Sequence, residues 1–316
     1  MSTDTLKKVP TLSLSAYTEG SADEKQLFIE QLLHGFKEYG FIILKDHPIK
    51  TELLHSAYAL SEEMFNLPLV RKMDLQSASG GGQRGYTAFG TEHAKDQSVP
   101  DLKEFWHVGR ELSTGHEYFE QYPQNIWPSE LPEFKTTFLK MYEALDYVGD
   151  IILEAFTGPL ELDKDYFRKM TKDGNSILRL LHYPPIPEDA DPKSVRAAAH
   201  EDINLITILV SASASGLELL DRDGNWLAIE AEPDSLIVDS GDMLSRITND
   251  VIPATTHRVV NPEGENKSRF SMPYFIHPNP KAMLTCLDSC RGEKAKYPDI
   301  LAQDFLMQRL KEIGLM

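Results

Sequence analysis

The run RAAAHEDINLITILV, residues 196–210, sets a histidine, two acids and an asparagine directly before an apolar stretch. Side chains two apart in an extended chain share a face, so His200 and Asp202 project together while Glu201 points away. A neutral imidazole and a carboxylate suit a divalent first-row metal. Two histidines and one carboxylate on one face of an octahedron suit non-haem ferrous iron and leave coordination positions open. A second histidine is then required. Of the ten in the chain, His257 in TTHRVV is the candidate: it lies on a later β-type segment that antiparallel pairing can bring beside the first two. Twelve residues further, in RFSMPYF, Arg269 and Ser271 again share a strand face. A guanidinium fork with a hydroxyl beside it matches a carboxylate, because the fork can bind both oxygens and the hydroxyl adds a third hydrogen bond.

Such side chains converge only if the surrounding elements hold them. From about residue 176 the chain reads as short β-type segments separated by turn residues: SILRLLHY, RAAAHE, LITILV, GLELL, NWLAIE, DSLIVDSG, TTHRVV and SRFSMPYFIH. Evenly spaced short strands over about 100 residues point to a sandwich, barrel or jelly roll. The apolar LITILV would anchor its strand in the core while the polar segment before it emerges at the mouth. Upstream, residues 22–39 place Leu27, Phe28, Leu32, Leu33 and Phe36 at helical spacing, with Gly40 where a C-terminal cap belongs. FIILKDHPI then reads as a strand. Amphipathic helices are expected over about 50–66 and 133–157, the second stopped by TGP, and ILAQDFLMQRLKEIG forms a final helix. The Gly- and Ser-rich QSASGGGQRGYTAFG reads as an irregular loop suited to gating a substrate site.

Composition narrows the function classes. The 316 residues carry 32 Lys+Arg against 49 Asp+Glu, a net charge of −17 that repels nucleic-acid phosphates and anionic membrane surfaces. A small-molecule partner is expected rather than nucleic acid or membrane. The two cysteines, Cys286 and Cys290, supply neither a disulfide framework nor a complete zinc site. The start MSTDTLKKVPTLSL has no secretory apolar stretch, so a cytoplasmic protein is expected, as a monomer or homodimer.

With these residues in place the sequence resembles the Fe(II)- and 2-oxoglutarate-dependent oxygenases of the isopenicillin N synthase-like family. The resemblance covers most of the chain: VPTLSL and EYGFIILKDHPI, then RGYTAFGTEHAKDQSVPDLKEFWHVG, then LLHYPP, HEDINLITIL, GLELL, DSLIVDSGDMLSRITND, THRVV and RFSMPYFIHP follow in the family's order. The resemblance implies a mainly β fold with flanking α: a double-stranded β-helix, or jelly-roll, core with N-terminal, middle and C-terminal helices. Residues 1–170 would pack on the core, 171–280 would form it, and 281–316 would be a helical extension.

The resemblance also implies roles. His200, Asp202 and His257 would bind Fe(II). Arg269 and Ser271 would hold the distal carboxylate of 2-oxoglutarate, with a further hydrogen bond from Tyr183. Three protein ligands leave three of six positions, two for the keto acid and one for O2. Ascorbate is a candidate reductant. The expected reaction oxidises, most simply hydroxylates, a small organic molecule and forms succinate and CO2. Asp202 excludes the family's halogenase branch, in which that carboxylate is replaced. Candidate substrate contacts are Arg84, Tyr86, Phe89, Phe105, His107 and Phe275. One departure stands out: many relatives carry Asn two residues before the tyrosine, where this chain has Leu181. Alternatives are an iron oxidase, desaturase or ring-forming enzyme of the same fold that does not use 2-oxoglutarate, a non-catalytic jelly-roll binding protein, and a β-sandwich hydrolase or isomerase with an incidental metal.

Overall fold

A computed structural model describes residues 8–77, 83–92, 99–191 and 193–312. Part of the expected gating loop, residues 78–82, lies outside the described residues.

The N-terminal part runs β1 (Thr11–Ser13), α1 (Leu14–Thr18), α2 (Ala22–Tyr39), β2 (Phe41–Lys45), α3 (Thr51–Phe65) and α4 (Leu69–Asp74). Helix α2 has the bounds its periodicity predicts. Ser21 and Glu24 form a reciprocal capping box at its start, and Gly40 ends it at φ +66°, where a side chain would be strained. Phe28, Leu32 and Phe36 are buried, whereas Leu27, expected on the same face, is exposed. Next come β3 (Gly85–Thr87), β4 (Glu104–Gly109), the long α5 (Phe134–Thr157) and α6 (Tyr166–Thr171).

The strand-rich half holds β5 (Ile177–Tyr183), β6 (Ala197–His200), β7 (Ile206–Val210), β8 (Leu217–Leu220), β9 (Trp226–Ala228) and β10 (Leu236–Ser240). It continues through α7 (Asp242–Ile247), β11 (His257–Val259), β12 (Arg269–Ile276), β13 (Met283–Leu284), β14 (Ile300–Leu301) and α8 (Ala302–Glu312). An eight-stranded sheet, ordered β1-β2-β10-β7-β12-β5-β4-β3, faces a four-stranded sheet, β6-β11-β8-β9. Strands from both halves of the chain therefore share the large sheet.

Two apolar layers explain why these strands read as unbroken apolar runs. On one face of the large sheet, Ile42, Leu44, Leu178, Leu180, Ile206 and Ile208 join the core made with the helices. On the other face Phe41, Ile43, Leu181, Tyr183, Leu209 and Ile237 pack toward the small sheet. A strand covered on both sides loses the polar alternation of a solvent-facing one. Helix α5 reaches the sheet through Gly149, where a Cβ would lie 2.1 Å from Ile276 Cδ1. Among the described residues no helix is long and apolar enough to cross a membrane.

Candidate active site

The mouth between the two sheets is where the metal-type residues meet. His257 on β11 is the cross-strand partner of His200, the last residue of β6, and their ring centroids are 4.4 Å apart. Strand β6 stops at His200, so Asp202 is not on the strand as the two-residue spacing suggests. It sits in the following irregular segment, which turns its carboxylate back toward both histidines. Asp202 Oδ1 is 3.8 Å from His200 Nε2 and 3.9 Å from His257 Nε2, and the three ligand-type atoms lie within 4.8 Å of one another. Glu201 points away, accepting a hydrogen bond from Thr256 at 3.0 Å.

The donor set fits a first-row metal. His200 Nδ1 lies 2.7 Å from the Ala198 carbonyl and His257 Nδ1 lies 3.1 Å from the Thr255 carbonyl. A carbonyl accepts only, so each Nδ1 carries the proton and each Nε2 turns a lone pair to the shared space. Burial, reinforced by the neighbouring His257, pushes the His200 pKa down to about 4, which keeps the imidazole neutral near pH 7. A point equidistant from three atoms so spaced lies roughly 2.1–2.5 Å from each, near the usual metal–ligand range of about 2.0–2.2 Å.

Sequence reasoning missed the groups that hold Asp202 in place. Its Oδ2 accepts a short hydrogen bond from Thr207, whose hydroxyl oxygen accepts from Asn204 Nδ2 at 2.9 Å. The junction of β10 and α7 cradles the same segment: Asp242 N donates to Asp202 O at 2.7 Å and Met243 N to Asn204 O at 3.0 Å. Gly241 makes that approach possible, since a Cβ there would lie 2.3 Å from Asn204 Oδ1 and 2.8 Å from Asp202 O.

A recess of about 70 Å³ runs inward from the triad, lined by Tyr183, Arg269, Ser271 and Leu181. Arg269 and Tyr183 are cross-strand partners, as are Ser271 and Leu181, and the Arg269 guanidinium lies 5.1 Å from the Tyr183 ring centroid. Arg269 is 1% exposed; its Nε donates to the Ala214 carbonyl at 3.1 Å, while Nη1 has no hydrogen-bond partner among the described residues. Arg196, also buried, adds a second cation near it, its guanidinium donating to the Lys267 carbonyl. Burial and then the Arg269 charge lower the Arg196 pKa. An orphaned buried guanidinium N–H with a second arginine nearby is matched to a carboxylate.

An outer cavity of about 510 Å³ opens from the other side of the triad. It shares Lys103, Arg179, His200, Asp202 and Phe275 with the recess, so the triad stands at the junction. Phe105, His107 and Phe275 line this cavity as expected for substrate contacts. Three other candidates do not. Arg84 is fully buried behind the wall, hydrogen-bonded to the Gln83 carbonyl at 2.7 Å and Asn175 Oδ1 at 3.1 Å. Tyr86 faces the helix side of the sheet with Trp106, its register partner, and its hydroxyl donates to Glu104. Phe89 is 39% exposed, outside the cavity lining. Positions 84–89 straddle β3, and its pairing with β4 turns Tyr86 away from the mouth.

One wall of the cavity is charged yet internally matched. Glu92 accepts from Lys103 at 2.6 Å and from both terminal nitrogens of Arg179 at 3.1 and 3.2 Å. Burial raises the Glu92 pKa, but Arg179 and Lys103 outweigh it and hold the carboxyl well below the usual range. Lys103 also bonds Asp101 at 2.8 Å, and Asp101 Oδ1 accepts from Ala198 N at 3.0 Å, which ties this wall to the strand carrying His200. Arg179 Nε donates to His107 Nε2 at 2.6 Å, with its guanidinium 4.3 Å from the Phe105 ring and 5.3 Å from that of Phe275.

This arrangement has close counterparts. Residues 174–278 match the model of the 2OG-Fe(II) oxygenase superfamily, and residues 9–130 match that of the N-terminal region of non-haem dioxygenases in morphine synthesis. The 2-oxoglutarate-Fe(II) type oxidoreductase hxnY of Emericella nidulans is 30% identical over 96% of this chain and 89% of its own. The chain belongs to the 2-oxoglutarate- and Fe(II)-dependent oxygenases. A 2OG-Fe(II) oxygenase family protein of Caulobacter crescentus is 41% identical with a TM-score of 0.87, covering 98% of this chain and 99% of its own. A Neurospora crassa protein, solved at full length with alpha-KG and with alpha-KG and thymine, is 30% identical; the thymine complex has a TM-score of 0.86 and covers 98% of both chains. This oxygenase is accordingly an oxidoreductase that uses Fe(II), 2-oxoglutarate and O2 on small molecules, with the double-stranded β-helix core expected of it.

Proposed function

We propose that the oxygenase hydroxylates a small, neutral, ring-containing molecule held in the outer cavity, with His200, Asp202 and His257 binding Fe(II) and Arg269, Ser271 and Tyr183 binding 2-oxoglutarate. The bound iron and keto acid supply activation of O2, with succinate and CO2 as the co-products. The chain's own part is placement. Arg269 Nη1, buried and orphaned in a recess that opens onto the triad, is the observation that carries the reading, because it fixes the carboxylate end of an elongated diacid. Ser271 and Tyr183 stand close enough on the paired strands to add hydrogen bonds to the same carboxylate. Carbon substrates are then confined to the far side of the metal ligands, where Phe105 and Phe275 offer ring faces and exclude water. Thymine in the Neurospora crassa complex supports a planar heterocycle of that size.

Anaerobic titration with Fe(II) and then 2-oxoglutarate tests the assignment through the weak visible absorption of the chelate. The wild type gains the band; Arg269→Met raises the 2-oxoglutarate Kd by about 30-fold or more, since a charge-assisted pair to a buried guanidinium is worth roughly 2 kcal/mol or above. His200→Ala loses the band. Succinate release on adding a metabolite pool identifies the substrate, and a band unaffected by Arg269→Met would remove the co-substrate assignment.

A further inference from the structure

We propose that Arg84 is a positioning residue that turns the Asn175 amide so that its N–H2 end addresses the outer cavity, making the site select a substrate with a carbonyl oxygen there. The proposal deepens the small-ring reading above and rests on it.

Arg84 is a guanidinium buried completely with no carboxylate partner among the described residues. Burial lowers its pKa to about 10, which leaves it charged at neutral pH. A group so costly to bury needs acceptors, and it has two: the Gln83 carbonyl at 2.7 Å and the side chain of Asn175 at 3.1 Å. An arginine donates only, so the Asn175 atom facing it must be the oxygen. The amide nitrogen is thereby left on the cavity side, where Asn175 is part of the lining and its N–H2 has no hydrogen-bond partner among the described residues. The chain makes room for this device at Gly109: a Cβ there would lie 1.9 Å from Arg84 Cζ. Asn125 clamps the same glycine through its N–H and its carbonyl, both at 2.8 Å.

The neighbouring polar groups sharpen the choice of ligand. Lys103, Arg179, Glu92 and Asp101 are paired with one another, and His107 accepts from Arg179. That wall carries two positive and two negative charges paired with one another, so it presents no net charge to a ligand. Asn175 instead presents an oriented donor, which a carbonyl of a lactam or imide satisfies well and an aryl amine, its lone pair drawn into the ring, satisfies poorly.

Calorimetric titration of the Fe(II)- and 2-oxoglutarate-loaded enzyme under anaerobic conditions tests this with two probes. 1,3-Dimethyluracil carries carbonyl acceptors and no N–H; aniline carries an N–H2 and no carbonyl. The wild type should bind the first in preference to the second. Asn175→Leu should weaken 1,3-dimethyluracil by about tenfold, the cost of one unmatched hydrogen bond. Asn175→Asp, which offers acceptors to both Arg84 and the ligand, should reverse the preference. Arg84→Met should weaken the same probe nearly as much as Asn175→Leu, yet add nothing in the double variant, because it acts through that one amide. Arg84→Lys, which keeps a donor, should recover most of the loss. Preference of the wild type for aniline, no binding of 1,3-dimethyluracil, retained preference in Asn175→Asp, or additive losses in the double variant would each overturn the proposal. The chelate band separates the two levels: any of these results with the band intact overturns only the Arg84–Asn175 reading, and absence of the band in the wild type overturns the site beneath it.

Discussion

Replacing Thr207 by valine keeps the shape of a buried side chain and removes one hydroxyl, which isolates what that hydroxyl does for the metal ligands. Thr207 is 2% exposed; its oxygen donates to Asp202 Oδ2 and accepts from Asn204 Nδ2 at 2.9 Å. In Thr207→Val the fully buried Asn204 loses its acceptor and the Asp202 carboxylate loses its donor. An orphaned buried amide costs about 1–3 kcal/mol, and a lost hydrogen bond to a charged group about as much. The metal-free protein should therefore unfold with about 2–4 kcal/mol less stability in urea. Loss of a partner that orients a ligating carboxylate typically costs about 10–100-fold in metal affinity, so Fe(II) competition against a chromophoric chelator should show the Kd rising by at least about tenfold. Thr207→Ser keeps the hydroxyl and gives up a methyl, so it should lose about 1 kcal/mol of stability and leave the Fe(II) Kd within about threefold. Valine binding Fe(II) as tightly as the wild type would refute the argument. Equal losses in both variants would assign the effect to the methyl's packing instead.

Gly241→Ala should do similar damage from the other side, because its Cβ would press on Asn204 Oδ1 and the Asp202 carbonyl; a fall of about 1–3 kcal/mol in stability, with weakened Fe(II) binding, is expected from denaturation and metal titration. His277 gives a pH signature. Burial pushes its pKa down to about 4, so as pH falls below the unfolded value near 6.5 the unfolded chain takes up a proton that the folded one refuses. Metal-free stability should fall between about pH 6.5 and 4 by up to about 3 kcal/mol from this group. His277→Gln should flatten that part of the curve, as measured by urea unfolding across pH.

Residues that announce themselves by type and spacing were legible in the sequence; residues whose meaning depends on a contact were not. His200, His257, Arg269 and Ser271 lie on strands, where period-two geometry fixes the face each presents, and the structure places them as that geometry predicts. Asp202 reaches the same point by a different route, since β6 ends at His200, too early for the strand argument to apply. The short α7 spans six residues, too few to show helical periodicity, and it begins just past the strand segment DSLIVDSG. The Glu92–Arg179 pair joins positions 87 apart in the chain. No local pattern carries such a pairing, because nothing near either residue signals the other. Arg84 reads from the sequence as a candidate substrate contact, and nothing in its neighbourhood along the chain signals the packing that buries it against Asn175.

Strand β5 ties these levels together. Tyr183, Leu181, Arg179 and Ile177 alternate along its inner face, so at roughly 3.3 Å per residue they mark off about 20 Å from the recess to the outer cavity. The polarity along that line is uneven. Tyr183 stands opposite Arg269, Leu181 opposite Ser271 offers no hydrogen bond, and Arg179 is already committed to Glu92 and His107. A diacid entering the recess thus meets an unsatisfied donor only at its Arg269 end and an apolar surface midway. With Leu181 midway, orientation in the proposed site is concentrated in two anchors, the guanidinium at one end and the metal ligands at the other. Two residues before β5 begins, Asn175 lines the outer cavity with an amide N–H2 that has no partner among the described residues, and there the ligand is a different molecule.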